Sequence, residues 1–336
     1  MAWFLAKRLL GMVVILLALT AVVFTLQKIS PLDPAHAMLG PGASQEAVAA
    51  QRHALGLDQS VFTQFVDYVR GLLHGDLGTS YRTRRPVSAD LAAYVPATAE
   101  LAGYGLALAL VLAVILAVGT TLRWPGARLF RLVLLIGAST PQFLLGIAGV
   151  LVFFRYLGWL PVTGRTDIAG APTGPTGLLT VDGLLNGRPD VTADALRHLV
   201  LPALALALGP AVSIGRVLRS SLIDNERADY ARTARAKGLA ERRVLTRHVL
   251  RNSLGPALSM TGLQTGLAFA GVLIVEQVFA WPGIGQYTAQ SIPVADFPAI
   301  AGVTLLLGAG YVVINTLVDI LQAIADPRIE AAASRG

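Results

Sequence analysis

The sequence predicts an all-α polytopic membrane protein with six transmembrane helices, and three observations carry that prediction. Of 336 residues, 54% are hydrophobic and 14% charged, with a mean hydropathy of +0.62, an apolar excess that a water-soluble globule of this length does not carry. The apolar residues are gathered into six runs without a charged side chain, each long enough to cross a hydrocarbon core as helix. Seventeen of the 27 Lys and Arg fall on one side of the alternating topology these runs impose. That is the bias that keeps short loops in the cytoplasm, so both termini are expected there.

The first span follows Lys7-Arg8 and covers Leu9 to Leu26. A cleaved signal peptide is the competing reading, with Ala35-His36-Ala37 as an A-x-A-like site, but the apolar run is longer than the usual signal core. Residues 29–97 then form a structured extracytoplasmic segment. Ser44 is placed to cap a helix beginning at Gln45-Glu46, and Arg82, Arg84 and Arg85 read as a solvated or headgroup-facing patch, with capture of a substrate carboxylate as the alternative. Leu101 to Leu122 is the second span, ended by Arg123 and Trp124.

Leu132 to Phe154 is the third span, and Ser139-Thr140-Pro141-Gln142 within it predicts a kink, since proline frees backbone carbonyls that side chains can rebond. A second external segment, 155–197, contains the loop-like Gly170 to Gly177 and Trp159. The fourth span runs from His198 to Gly215 and is expected to bend at Pro202 and Pro210. Leu254 to Val275 is the fifth, with Pro256 expected in its first turn, where a missing N–H is tolerated. Phe297 to Val318 is the sixth, and Asp326-Pro327-Arg328 closes the core before a tail, 326–336. All four tryptophans, Trp3, Trp124, Trp159 and Trp281, fall at expected interfaces.

Between the fourth and fifth spans lies the most basic stretch of the chain, residues 219–252. Asp229 to Lys237 reads as a short helix with an acid at its start, cations in its last turn and Gly238 as its stop, a polarity the helix dipole favours. Ala228, Ala231 and Ala234 recur every three residues and predict a face that another protein surface can approach closely. A second helix with Val244, Leu245, Val249 and Leu250 at interfacial spacing follows. On spacing alone, a positively charged loop that only fixes topology explains the same residues.

Ala234, Gly238 and their helix–turn–helix setting resemble the cytoplasmic coupling loop of ATP-binding-cassette importer permeases, whose motif reads Glu-Ala-Ala, three residues, Gly. Arg232 and Thr233 stand here for the motif's Glu and first Ala, and Gly255-Pro256 for its distal Leu-Pro. Tyr230 to Gly238 is similar to the dipeptide/oligopeptide/nickel branch, as are Leu55-Gly56-Leu57-Asp58, Gly75 to Val87, Pro96 to Ala102 and Glu276 to Gly285. The resemblance therefore runs through nearly the whole chain, as a B-type subunit of the binding-protein-dependent transport family. It implies a type I importer (MetI-like) permease fold, with an N-terminal helix 1–28 and a five-helix core 98–325. The partners it implies are a similar second permease subunit, two cytoplasmic ATPase subunits or domains that bind ATP and Mg, and an external substrate-binding protein. Coupling to the ATPases is then expected of Asp229, Ala231, Arg232, Ala234, Arg235, Lys237 and Gly238, and the cargo expected is a di- or oligopeptide, with nickel as the alternative.

The residues themselves narrow the chemistry. No G-x-x-x-x-G-K-[ST] stretch occurs, so a P-loop on this chain is excluded and no cofactor of its own is expected. A secondary transporter, the reading from another class, places ionisable groups at mid-membrane, whereas Glu100, Glu276 and Asp319 sit at span ends. The five histidines are scattered and cysteine is absent, so no metal site is expected. The cations flank apolar runs, which points to lipid and away from nucleic acid. Ser139, Thr140, Gln142, Gln264, Thr265 and Asn315 are uncharged polar groups inside spans. They are the candidates for a translocation path, with helix–helix hydrogen bonding as their alternative role.

Overall fold

Residues 2–30, 33–40, 42–122, 124–172 and 174–325 are described by a computed structural model, without the side chains of 2–9 and 321–325. The side chains of Trp3, Lys7 and Arg8, together with Arg123, the closing Asp326-Pro327-Arg328, Arg335 and the 326–336 tail, lie outside the described residues. Helices account for nearly all regular structure: α1 (Ala2–Ile29), α2 (Pro34–Leu39), α3 (Gln45–Ala54), α4 (Val61–Leu73), α5 (Val87–Thr121), α6 (Ala127–Ser139) and α7 (Gln142–Gly149), the last continued by a π-helical turn, Val150–Tyr156. After these come α8 (Leu179–Leu185), α9 (Pro189–Glu226), α10 (Asp229–Ala236), α11 (Glu241–Arg243), a π-turn Val244–Val249, α12 (Leu250–Val278), α13 (Ile284–Ser291) and α14 (Phe297–Ala325). Among the described residues the β-pairing is an isolated bridge, Thr79 to Pro86.

Five helices are long and apolar enough to cross a bilayer: within α1, α5, α9, the joined helix Glu241–Val278 and α14. A sixth crossing is counted if α6 and the Gln142–Tyr156 helix together form one span, and these two meet at 114°. The expected single kinked helix is instead two helices bent by 114° at a break. Proline drives the residue before it out of helical space, and Thr140 is extended at φ −95°, ψ 134°. The chain consequently stops at Ser139 and restarts at Gln142.

The other prolines within the long helices do not interrupt them. Pro202 and Pro210 lie inside one continuous 38-residue α9; both are buried, where neighbouring helices can accommodate the freed carbonyls. Pro256 is not in a first turn, because the helix has already begun at Glu241 and passes through the π-turn before reaching it. Ser44 does cap α3, accepting from Ala47 N at 3.2 Å. The A-x-A-like residues 35–37 sit within α2, with Ala35 wholly buried.

Internal packing divides the chain into two units, Met1–Thr98 with Pro282–Val312, and Ala99–Trp281 with Val313–Gly336. In the first, α1 lies close on α14, where a Cβ at Gly308 would meet Leu19 Cδ1 at 2.7 Å. Its far end packs Phe24 edge-on against Phe65 of α4, ring centres 5.3 Å apart. In the second, α9 is the most buried span. It crosses α5 so closely that a Cβ at Gly215 would stand 3.1 Å from Ala113 O.

Candidate coupling loop and translocation path

Helix α10 begins after an extended Ala228 that offers no side-chain cap, with Asp229 in its first turn and Arg235 in its last. It ends where Gly238 adopts φ +77°, the left-handed stop its sequence position predicts. Ala231 and Ala234 are buried, and they pack with Leu218, Leu222, Val244 and Val249 in one apolar cluster. The small-residue row therefore faces the chain's own helices and not a partner, which corrects the sequence expectation. Two methyl groups one turn apart let α10 lie close against the ends of α9 and α12, and a larger side chain would hold it off. Exposed on the opposite face are Asp229, Tyr230, Arg232, Thr233, Ala236 and Lys237.

Polar contacts fix the same geometry. Arg235 donates from Nη1 to Glu226 O at 3.0 Å and from Nε and Nη2 to the Glu241 carboxylate at 2.9 and 2.7 Å, so one guanidinium ties together the end of α9, α10 and the start of α11. Its hydrogen bonds to Glu241 hold it above its ordinary pKa. Asn225 accepts from Tyr230 Oη at 2.5 Å and donates to Ser221 O at 2.8 Å and Ser253 Oγ at 3.2 Å. Arg232 instead stays on the exposed face, 2.5 Å from Asp229. The loop is thus a short rod fixed to two long helices, α9 and the joined Glu241–Val278, with a mixed-charge outer surface.

The six path candidates separate into two groups. Ser139 and Thr140 turn their hydroxyls onto their own helix, at Leu135 O (2.8 Å) and Ile136 O (2.9 Å). Those bonds cap the carbonyl end that the break at Pro141 opens. The other four lie along α12: Gln264 and Thr265 belong to it, Gln142 presses on it at Gly271, and Asn315 Oδ1 would stand 3.5 Å from a Cβ at Gly262. Thr265 is buried and donates to Thr261 O at 2.8 Å. A Cβ at Gly271 would fall on Gln142 Oε1, so glycine there is what admits the amide. The structure brings Gln142, Gln264, Thr265 and Asn315 to one helix and leaves Ser139 and Thr140 satisfied locally.

Sequence reading missed the buried charges. In the second unit Glu100, 1% exposed, accepts from Arg165 Nη2 at 2.5 Å and from Thr180 N and Oγ1 at 2.8 and 2.7 Å. Arg165 also reaches Gly177 O at 2.8 Å and lies 5.9 Å from the ring centre of Trp281. Trp281 is fully buried and so does not belong to an aromatic belt, whereas Trp124 and Trp159 are exposed. In the first unit the Gly75 to Val87 passage wraps a buried Asp296, which accepts from Ser80 Oγ, Tyr81 N (3.0 Å) and Arg82 N (3.2 Å).

Beside it, buried Asp90 accepts from Thr83 Oγ1 at 2.5 Å and Tyr287 Oη at 3.1 Å. Burial pushes the Tyr81 and Tyr287 phenols upward, with Asp296 adding to the effect at Tyr81. Arg82 does not join a solvated patch: its Nε and Nη2 are buried, and the guanidinium lies 5.2 Å from the Tyr287 ring centre. Arg84 and Arg85 are exposed as expected. Single acids at the starts of apolar helices, Asp90 in the first turn of α5 and Asp296 just before α14, were the available signal.

Long apolar helices, a broken span and a basic rod locked to the span ends define a multi-pass membrane transport subunit. The chain matches the model of the binding-protein-dependent transport system inner membrane component over residues 105–331, and the N-terminal model of the same systems' membrane component over residues 1–102. It is 40% identical over 329 residues, 97% of this chain and 96% of the relative, to the probable D,D-dipeptide transport system permease protein DdpB of Escherichia coli K12. It is 36% identical over 328 residues, 96% and 98%, to the dipeptide transport system permease protein DppB of Alkalihalophilus pseudofirmus. It is also 36% identical over 326 residues, 96% and 97%, to the glutathione transport system permease protein GsiC of Salmonella typhimurium. The chain belongs to the binding-protein-dependent transport system inner membrane component family, as a permease subunit of an ATP-binding-cassette importer.

Proposed function

We propose that this chain forms the translocation path for di- or oligopeptides, delivered by an external binding protein. The relatives named for D,D-dipeptides, dipeptides and glutathione all handle short peptides by name, which favours peptide over nickel. The chain pairs with a second permease subunit and with two cytoplasmic ATPase subunits that bind ATP and Mg. Both termini lie in the cytoplasm, the α6–α7 pair counting as a span.

The observation that carries the mechanism is the two-faced α10. Its back is fixed by Ala231, Ala234 and Arg235 to the ends of α9, α11 and α12, and its front presents Asp229, Tyr230, Arg232, Thr233 and Lys237. ATPase closure pushing that front moves the helices behind it as one body, a rigid coupling that a flexible topogenic loop would not transmit. Gln142, Gln264, Thr265 and Asn315 offer the passing peptide amide and hydroxyl groups without fixed charge. Ser139 and Thr140 shape the broken helix beside them.

The test is uptake. Deleting the gene should abolish growth on a dipeptide as sole source of a required amino acid, and the wild-type gene should restore it. Unchanged peptide uptake with a fall in nickel accumulation would transfer the reading to nickel.

A further inference from the structure

The first unit holds a cavity of about 400 Å³ between the end of α1, the 55–59 turn and α4, within the size range of small-molecule sites. Phe24, Leu57, Tyr68 and Tyr81 contribute to its wall. Two opposite charges also line it. Lys28 donates to the Gln64 amide oxygen and lies 5.3 Å from the Phe24 ring centre, so its immediate partners here are neutral. Gln64 in turn anchors the turn, donating to Leu57 O at 3.1 Å and Gln59 O at 2.8 Å. Asp67 follows Gln64 by three positions on α4, which puts both on one face; its carboxylate is half exposed and lies 3.8 Å from Arg70 Nη1, a long surface pair that a ligand ammonium would have to share.

Lys28, held at Gln64, and Asp67, three residues or roughly 4.5 Å further along the α4 axis, set an ammonium and a carboxylate at separate points of the wall, complementary to a zwitterion whose charged ends lie apart. A free amino acid carries both charges on one carbon. Two extended residues reach roughly 7 Å at most, and their side chains would meet the aromatic wall. We infer that this cavity is a second peptide site, holding the C-terminal carboxylate of a dipeptide at Lys28 and its N-terminal ammonium at Asp67. The inference rests on the reading of the chain as a peptide permease, and none of the residues proposed for the translocation path lines this cavity.

The assay uses the whole transporter complex in lipid nanodiscs, without binding protein or ATP, titrated with radiolabelled alanyl-leucine. Saturable binding is expected, weakened at least tenfold by Lys28→Met and by Asp67→Asn. N-acetyl-alanyl-leucine and alanyl-leucinamide should each bind the unaltered complex at least tenfold more weakly, so the blocked ligands test the site even where a variant fails to assemble. No saturable binding, or binding indifferent to both substitutions or to both blocking groups, overturns the inference. If that failure comes with normal peptide uptake by cells, the proposed function stands and only the second site falls; if gene deletion leaves peptide uptake unchanged, the functional reading falls with it.

Discussion

Replacing Gly238 separates a coupling lever from a loop that only sets topology. The residue sits at φ +77°, and a Cβ built there meets nothing within 4 Å. A side chain at 238 therefore costs backbone strain and no steric clash. For an L-residue that strain is about 1–2 kcal/mol, enough to shift the population of the native α10–α11 junction by a factor of roughly 5–30. Gly238→Val should show the full effect, while Gly238→Asn, which tolerates the left-handed region, should lie close to wild type. With complexes reconstituted in vesicles and transport normalised to assembled permease, the Val variant is expected to lose coupled peptide transport by that factor while inserting normally. Wild-type coupling in Gly238→Val, or equal damage from Val and Asn, would refute the argument from backbone geometry.

Topology is tested by single cysteines in this cysteine-free chain: Pro175→Cys and Ala240→Cys, both at exposed positions, should react with an impermeant thiol reagent from opposite sides. Labelling of both from one side would mean that α9 does not cross the bilayer and would refute the six-span topology. Glu100→Gln leaves Arg165, 13% exposed, without its anion, and uncompensated buried charges of this kind cost about 3–5 kcal/mol. A large drop in the thermal midpoint in detergent is expected, and an unchanged midpoint would show that the pair is not structural. Ala234→Leu should overpack the cluster behind α10 at a cost of about 1–3 kcal/mol and lower both stability and coupling; a stable, fully coupled variant would contradict the packing described.

The long helices were legible because the bilayer demands uninterrupted apolar runs. Boundaries were less so: α9 begins at Pro189 and the helix containing α12 at Glu241, since polar ends of a helix carry no hydropathy signal. The stop at Gly238 and the cap at Ser44 were readable from chemistry local to the chain. The direction of the Ala231–Ala234 face was not, because spacing shows that a face is small without saying what lies against it. For the same reason Trp281 and Arg82, amphipathic side chains suited to a surface, were found under Arg165 and against Tyr287. Gln142 and Asn315 were picked as polar groups within spans, but only the fold brings them to α12 at Gly271 and Gly262.

The central claim is that the outer face of α10 receives the motion of the ATPases. The most direct measurement is ATPase retention and substrate-stimulated ATP hydrolysis in purified complexes carrying Tyr230→Ala, Arg232→Ala and Lys237→Ala together. All three side chains are exposed; their removal breaks the Tyr230–Asn225 hydrogen bond but leaves the Ala231–Ala234 cluster and the Arg235 ties in place, and Tyr230→Phe alone is the control for that bond. The account predicts a correctly inserted permease that loses its ATPases or hydrolyses ATP without transport. Wild-type retention with fully coupled transport would contradict it.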